Sequence, residues 1–110
     1  MDDYKPAIRS ATLDDALAIH HLTKHLGYEP SELSDTKYLL KTLLESDRDD
    51  VYVALQDTSV IGWIHCFQTL RLGSEGFYEI GGLVVCSTQR RKGIGKALVD
   101  YAITQYPGKW

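Results

Sequence analysis

Glu79-Ile80-Gly81-Gly82-Leu83-Val84-Val85, followed after a short gap by Gln89-Arg90-Arg91-Lys92-Gly93-Ile94-Gly95-Lys96-Ala97-Leu98, is the stretch of this 110-residue chain from which the fold can be read. The first segment ends in an apolar, β-branched run and reads as a strand. The second opens a helix. Backbone N–H groups in the first turn of a helix have no intrahelical partner and sit at its positive end, so they are free to bind an anion. Gly93 and Gly95 remove two side chains, which lets the backbone curl into a nest and approach phosphate oxygens closely. Arg90, Arg91 and Lys92 add positive charge at the same point. A solvated charge run is the commoner fate of such a cluster, but the two glycines favour a cradle for a pyrophosphate.

Two other glycine motifs fail against this segment. A Walker loop needs G-x-x-x-x-G-K-[ST], yet Arg90 stands five residues before Gly95, and Ala97 follows Lys96. A dinucleotide fingerprint needs G-x-G-x-x-G, yet its third glycine position is Leu98.

The pattern that fits is R-x-x-G-x-G, Arg90 to Gly95, five residues beyond the apolar strand end at Val85. It resembles the signature of the GCN5-related N-acetyltransferase (GNAT) superfamily, whose members move an acyl group from coenzyme A to an amine. The stretch Ile8-Arg9-Ser10-Ala11-Thr12-Leu13-Asp14-Asp15-Ala16 looks like that family's first strand running into its first helix, and the order of elements between agrees. The resemblance covers essentially the whole chain.

Composition agrees with a single domain, residues 1–110, large enough for its own core. Hydrophobic residues at 44% and charged residues at 25% describe an ordinary soluble globular protein. With no apolar run near the roughly 20 residues of a membrane span and no signal-peptide pattern, the expectation is a cytoplasmic protein without a membrane partner. The net charge of −3 argues against a nucleic-acid partner and suits a cationic acceptor. Cys66 and Cys86 lie in strand-like segments and read as small buried thiols rather than a disulfide. His20, His21 and His25 share one predicted helix but form no ligand set, so no metal is expected.

Periodicity supplies the organisation. Lys5 to Ser10 reads as a short strand, and Thr12-x-x-Asp15 as a capping box that starts a helix ending near Gly27. After a loop with Pro30, a second helix runs from about Thr36 to Glu45 with Leu39, Leu40, Leu43 and Leu44 facing inward. Val51 to Leu55, Val60 to Leu70 and Phe77 to Cys86 then form an antiparallel meander, with Trp63 and Tyr78 in the core. The third helix runs from Ile94 to about Gln105 and is ended by Pro107 and Gly108. The fold expected is α/β of the α+β type, a mixed, mostly antiparallel sheet flanked by helices in the order β-α-α-β-β-β-α.

The resemblance implies roles for particular residues. Backbone groups of Leu83, Val84 and Val85 would pair with the pantetheine arm of acetyl-CoA as an added strand, and N–H groups from Arg90 through Arg91, Lys92, Gly93, Ile94 and Gly95 to Lys96 would hold its pyrophosphate. Gly81-Gly82 suggests a bulge or a close approach there, or simple sheet twist. At pH 7 only about one alkyl amine in two thousand is neutral, so a base is useful. Glu79 is the candidate, acting directly or through water, with a salt-bridged strand glutamate as the plain alternative. The Val85 N–H would meet the oxyanion. Tyr28 and Glu29, with Glu32 and Asp35, are either part of the acceptor wall or solvated loop residues.

The chain departs from the family after the third helix. Lys109-Trp110 looks like the opening of a further strand, and the helix whose tyrosine commonly protonates the leaving thiolate would lie beyond it. The expectation is either a truncated fragment or a homodimer that covers the sheet edge beside Val85. The function implied is N-acetyl transfer from acetyl-CoA to a primary amine of a small molecule or protein by direct attack. A non-catalytic acyl-CoA-binding module is the alternative.

Overall fold

The computed structural model describes residues 5–25, 32–89 and 92–110. The elements run β1 (Ala7–Ser10), α1 (Ala16–His25), α2 (Leu33–Leu44), β2 (Asp49–Gln56), β3 (Ser59–Thr69), β4 (Phe77–Val85) and α3 (Ile94–Gln105), the order expected. Short 3-10 turns, Leu13–Asp15 and Ser87–Gln89, precede α1 and follow β4. The strands form one sheet in the order β1-β2-β3-β4, with every pairing antiparallel. The β2–β3 hairpin closes at Asp57 and Thr58, where Asp57 takes φ 55°, a left-handed conformation that Asp tolerates better than most residues.

Strand alternation sends successive side chains to opposite faces, and each face carries its own core. On one face Tyr52, Ala54, Ile64 and Cys66 pack under Ile94, Leu98 and Ala102 of α3. On the other, Val51 and Val53 pack under Ala16 and Ile19 of α1 and Leu40 of α2, with half-buried Trp63 against them. Burying an aliphatic side chain of this size is worth about 1.5–3 kcal/mol. Gly62 sets how closely α3 can approach, since a Cβ there would stand 3.3 Å from Leu98 Cδ1 and 3.4 Å from Ile94 Cγ2. Tyr78 joins the α3-side core, as expected, and its hydroxyl donates to Asp50 Oδ2 at 2.7 Å.

The boundaries differ from expectation where local chemistry intervenes. β1 begins at Ala7 rather than Lys5, because Pro6 has no N–H to give to a ladder. α2 begins at Leu33 rather than Thr36, because the Glu32 N–H donates to Asp35 Oδ2 at 3.0 Å and caps the helix one turn earlier. Of the four leucines expected to face inward, only Leu40 is buried. Leu43 is half-buried, while Leu39 and Leu44 are 57% and 38% exposed, because four such positions span more of the helix than the sheet covers. The expected helix stop at Gly27 and the loop at Pro30 lie outside the described residues.

The start of the first helix is held by a buried carboxylate. Asp15 accepts from Arg9 Nη1 and Nη2 at 2.7 and 2.9 Å and from the Thr12 N–H at 2.8 Å. The Arg9 hydrogen bond, outweighing the cost of burial, holds the Asp15 carboxyl below its usual range, with the Thr12 N–H adding to the effect. A lowered folded value means that this contribution is present above the ordinary carboxylate pKa of about 4 and is lost as pH falls from there through the lower value. Asp15→Ala is expected to destabilise the fold by about 1–2 kcal/mol at pH 7. Urea unfolding at pH 7 and pH 3 checks this: the difference between the two proteins should shrink at the lower pH.

Candidate functional site

β4 is an edge strand, and its register decides which backbone groups point outward. The Cys86 N–H donates to the Ile61 carbonyl at 2.8 Å, so the next pair inward, Val85 opposite Gly62, is a non-hydrogen-bonded pair. The N–H and C=O of Val85, and by the same alternation those of Leu83, therefore face away from β3. Val84 keeps its backbone groups in the ladder and buries its side chain. Nearer the start of β4 the same edge is covered. The Tyr78 N–H donates to the Lys109 carbonyl at 2.8 Å, and the Trp110 ring stands edge-on to Tyr78 at 5.2 Å. A notch of about 410 Å³ lies between Trp110 and β4 residues Phe77 to Ile80.

The N-terminus of α3 opens beside the outward groups. Gly93 is the N-cap at φ 78°, no side chain caps the helix, and its first turn carries no acidic residue. The first intrahelical bond runs from the Ala97 N–H to the Gly93 carbonyl at 2.9 Å, which leaves the N–H groups of Ile94, Gly95 and Lys96 without intrahelical partners. A Cβ on Gly95 would stand 3.7 Å from Val85 Cγ2 and 3.8 Å from Leu83 Cδ2, so the helix start and the β4 edge adjoin. Gly93 takes the left-handed turn that starts the helix. Nothing lies within 4 Å of where its Cβ would be, so its use is the left-handed φ and not close packing within the chain. The Lys96 ammonium turns down the helix to Asp100 Oδ2 at 2.7 Å, which leaves its backbone N–H as its contribution at the helix start. Lys92 is exposed, and the Ile94 side chain is buried in the core. Arg90 and Arg91 lie outside the described residues, as do Tyr28 and Glu29.

Gly81-Gly82 is a bulge, one of the readings its sequence allowed. His65 pairs with Gly82 and Cys66 with Ile80, so Gly81 is the extra residue of β4. A Cβ on Gly81 would stand 3.0 Å from both His65 Nδ1 and Phe67 Cε1, and one on Gly82 would stand 3.0 Å from two atoms of the Trp63 indole. The glycines thus let rings from the inner strand lie over the edge strand. Glu79 pairs with Phe67 and so shares the His65 face, half-buried, with its carboxylate accepting the Thr69 hydroxyl.

A second acidic partner on this face was not singled out from the sequence. His65 Nε2 lies 2.7 Å from Asp49 Oδ1, and Asp49 Oδ2 accepts the Ser46 hydroxyl at 2.7 Å. Burial opposes charge on Asp49, but the bonds from His65 and Ser46 outweigh it and keep the carboxyl below its usual range. The signal was in the hairpin: a turn at Gln56 to Ser59 places His65 near Asp49 and Asp50 across two strands. His20, by contrast, is tied through Nδ1 to Thr36 Oγ1 at 2.8 Å and only links α1 to α2. Among the described residues no group of three or more His, Cys, Asp or Glu side chains converges as a metal-ligand set. No helix there is long and apolar enough to cross a membrane.

Comparison with known proteins agrees with this geometry. The profile of the Acetyltransferase (GNAT) family matches residues 14–109. A search of curated protein sequences returned no match. Among solved structures, a GNAT family acetyltransferase from Staphylococcus aureus superposes with a TM-score of 0.82 at 21% identity, over 94% of this chain and 79% of that one. An aminoglycoside antibiotic 6'-N-acetyltransferase from Acinetobacter haemolyticus gives 0.77 at 16% identity, over 92% and 71%. A ribosomal-protein-alanine N-acetyltransferase from Brucella melitensis gives 0.70 at 18% identity, over 94% and 73%. At these identities the structural matches speak for the fold. With the profile spanning most of its length, the chain belongs to the GNAT acetyltransferase family.

Two glycines are open to direct test, for different reasons. Gly93→Ala is expected to cost about 1–2 kcal/mol through its left-handed φ alone. Gly81→Ala is expected to cost as much or more by pushing the His65 and Phe67 rings away. Denaturant midpoints measure both, and only Gly81→Ala should move the His65 side-chain signals in NMR spectra.

Proposed function

We propose that this chain is an acetyl-CoA-dependent N-acetyltransferase that acetylates a primary amine of a small molecule or protein by direct attack. One observation carries the reading: an α3 N-terminus without a side-chain cap or first-turn acid adjoins the outward backbone groups of Leu83 and Val85. The residues fit the substrate. The N–H groups of Ile94, Gly95 and Lys96, which lack intrahelical partners, with Lys92 and with Arg90 and Arg91, would hold the pyrophosphate. Gly95 keeps the space between helix and edge clear of a side chain. The amide groups of the pantetheine arm would pair with Leu83 and Val85 as an added strand, and the ladder of Val84 would hold that edge in place.

On this reading the Val85 N–H donates to the thioester oxygen as charge develops there. Glu79 takes a proton from the incoming ammonium. Its position on the His65 face, two residues before the bulge, supports that role. Direct attack is favoured over an acyl-enzyme on Cys66, because that thiol is fully buried under α3 and burial pushes its pKa up to about 11. Tyr28 and Glu29 belong to the proposal as acceptor contacts. The acetyltransferases of similar fold act on an aminoglycoside and on a ribosomal protein's alanine by their names, which supports an amine acceptor of either kind.

Calorimetric titration of the 110-residue protein with acetyl-CoA, run beside light scattering for a homodimer, is the test. Saturable binding by a defined species, with release of coenzyme A thiol in the presence of an amine, is expected. Gly93→Val should weaken binding about tenfold or more, one cradle contact or more being about 1.4 kcal/mol, and Arg90→Ala less, since the backbone donors remain. Binding with no turnover across a broad amine panel would leave the non-catalytic acyl-CoA-binding module as the function. No binding would overturn the proposal.

A further inference from the structure

Between α1, α2 and the sheet lies a pocket of about 210 Å³ that the acetyl-transfer reading does not use. Ile19 of α1, Leu40 and Leu43 of α2 and Val51 of β2 give it apolar walls, and the exposed Leu39 stands at its mouth. Protein interiors pack closely, so apolar walls around a gap close on one another unless something holds them apart.

Hydrogen bonds behind the walls do so. The Trp63 indole N–H donates to Thr23 Oγ1 at 3.2 Å, and the Thr23 hydroxyl donates to the Ile19 carbonyl at 2.8 Å, which ties the ring of β3 to α1. Thr36 Oγ1 is bonded to His20 Nδ1 at 2.8 Å, which ties α2 to α1. His65 is held through Nε2 by Asp49 at 2.7 Å, and its Nδ1 stands 3.0 Å from the place a Gly81 Cβ would occupy, on the bulge side. Thr23, Thr36, Trp63 and His65 are the polar side chains of the lining, and each is thus engaged within the chain. The pocket is preformed and presents apolar surface, so the group it takes is one that needs no hydrogen bond.

Size narrows the class. An apolar cavity of about 150 Å³ takes up benzene. A volume of about 210 Å³ therefore admits a benzene ring with a short alkyl stem, and the Trp63 and His65 rings in the wall suit an aromatic guest. We infer that this pocket binds the phenylalkyl part of a small molecule, ring inward, with the polar part of that molecule left at the mouth beside Leu39. The site is built without coenzyme A and stands apart from the acetyl-transfer reading.

Trp63 and Trp110 are the two tryptophans of the chain, so Trp110→Phe leaves Trp63 as the reporter. Titration of that protein with 3-phenylpropanol, in the absence of acetyl-CoA, is expected to change the Trp63 emission saturably with a Kd of about 1 mM or tighter. In the unmodified protein the methyl NMR signals of Leu40, Leu43 and Val51 should shift in the same titration, which locates the site without a substitution. The analogue with a hydroxyl on the far end of the ring should bind about tenfold or more weakly, because that hydroxyl finds no partner inside. Leu43→Phe, which fills the space, should weaken binding of 3-phenylpropanol by a similar factor. A Trp63 emission that does not saturate, with methyl signals that do not move at about tenfold that concentration, would overturn the inference. So would equal affinity for the hydroxylated ring, or shifts confined to residues outside the pocket. A last arm replaces the alcohol by 3-phenylpropylamine and adds acetyl-CoA. Release of coenzyme A thiol that 3-phenylpropanol inhibits competitively supports the pocket as the seat of an acceptor's ring, while binding without release supports it as the seat of a separate ligand. Failure of the acetyl-transfer reading alone leaves the pocket inference standing.

Discussion

An edge strand with half of its backbone groups unpaired is the constraint around which this molecule is arranged. Such an edge invites pairing by any extended chain, and proteins usually blunt or cover it. Here the start of β4 is covered by the C-terminal residues, through the Tyr78 to Lys109 hydrogen bond and the packing of Trp110, while among the described residues no strand pairs with the outer side of the Leu83 to Val85 end. The same alternation that buries Val84 turns the N–H and C=O of its neighbours outward. A one-residue shift in the β3–β4 register would reverse which groups face the edge, and the hydrogen bond from Cys86 to Ile61 helps to prevent it.

The position of α3 follows from the opposite requirement, close packing. Gly62 allows Ile94 and Leu98 to settle directly on the sheet, and those two residues carry the helix start to the end of β4. The N-terminal peptide dipoles are thereby aimed at the strand edge, and an N-cap without a side chain leaves them unneutralised. Core packing and a helix start without a side-chain cap thus come from neighbouring residues of one helical turn. Ile94 points into the core, while the N–H groups of the same turn lack intrahelical partners.

The other face works through a defect in the ladder. By inserting Gly81, β4 loses one regular pairing and gains room for His65, Phe67 and Trp63 to lie across it. Either glycine could be filled only by moving an aromatic ring. A side chain at Gly81 would press on the His65 ring that Asp49 holds through Nε2.

Much of this could be read along the chain. R-x-x-G-x-G after an apolar strand, the capping box at Thr12 and Asp15, and the limits of α3 at Ile94 and Gln105 are local signals, because caps, turns and periodicity act over fewer than about ten residues. The Glu32–Asp35 cap is equally local, yet Pro30 and the polar residues around it read as loop, and α2 starts three residues before the expected Thr36. The outward face of Leu39 needed the sheet, since only packing tells how wide a stripe of a helix is covered. The sequence by itself determined the element order, the family and the glycine-lined helix start. Only the tertiary structure decided which β4 groups face the edge, that Gly93 is needed for its φ, that the Lys96 ammonium is taken by Asp100, and that His65 meets Asp49. Those outcomes depend on register and on contacts between residues far apart in the chain, and no local pattern encodes them.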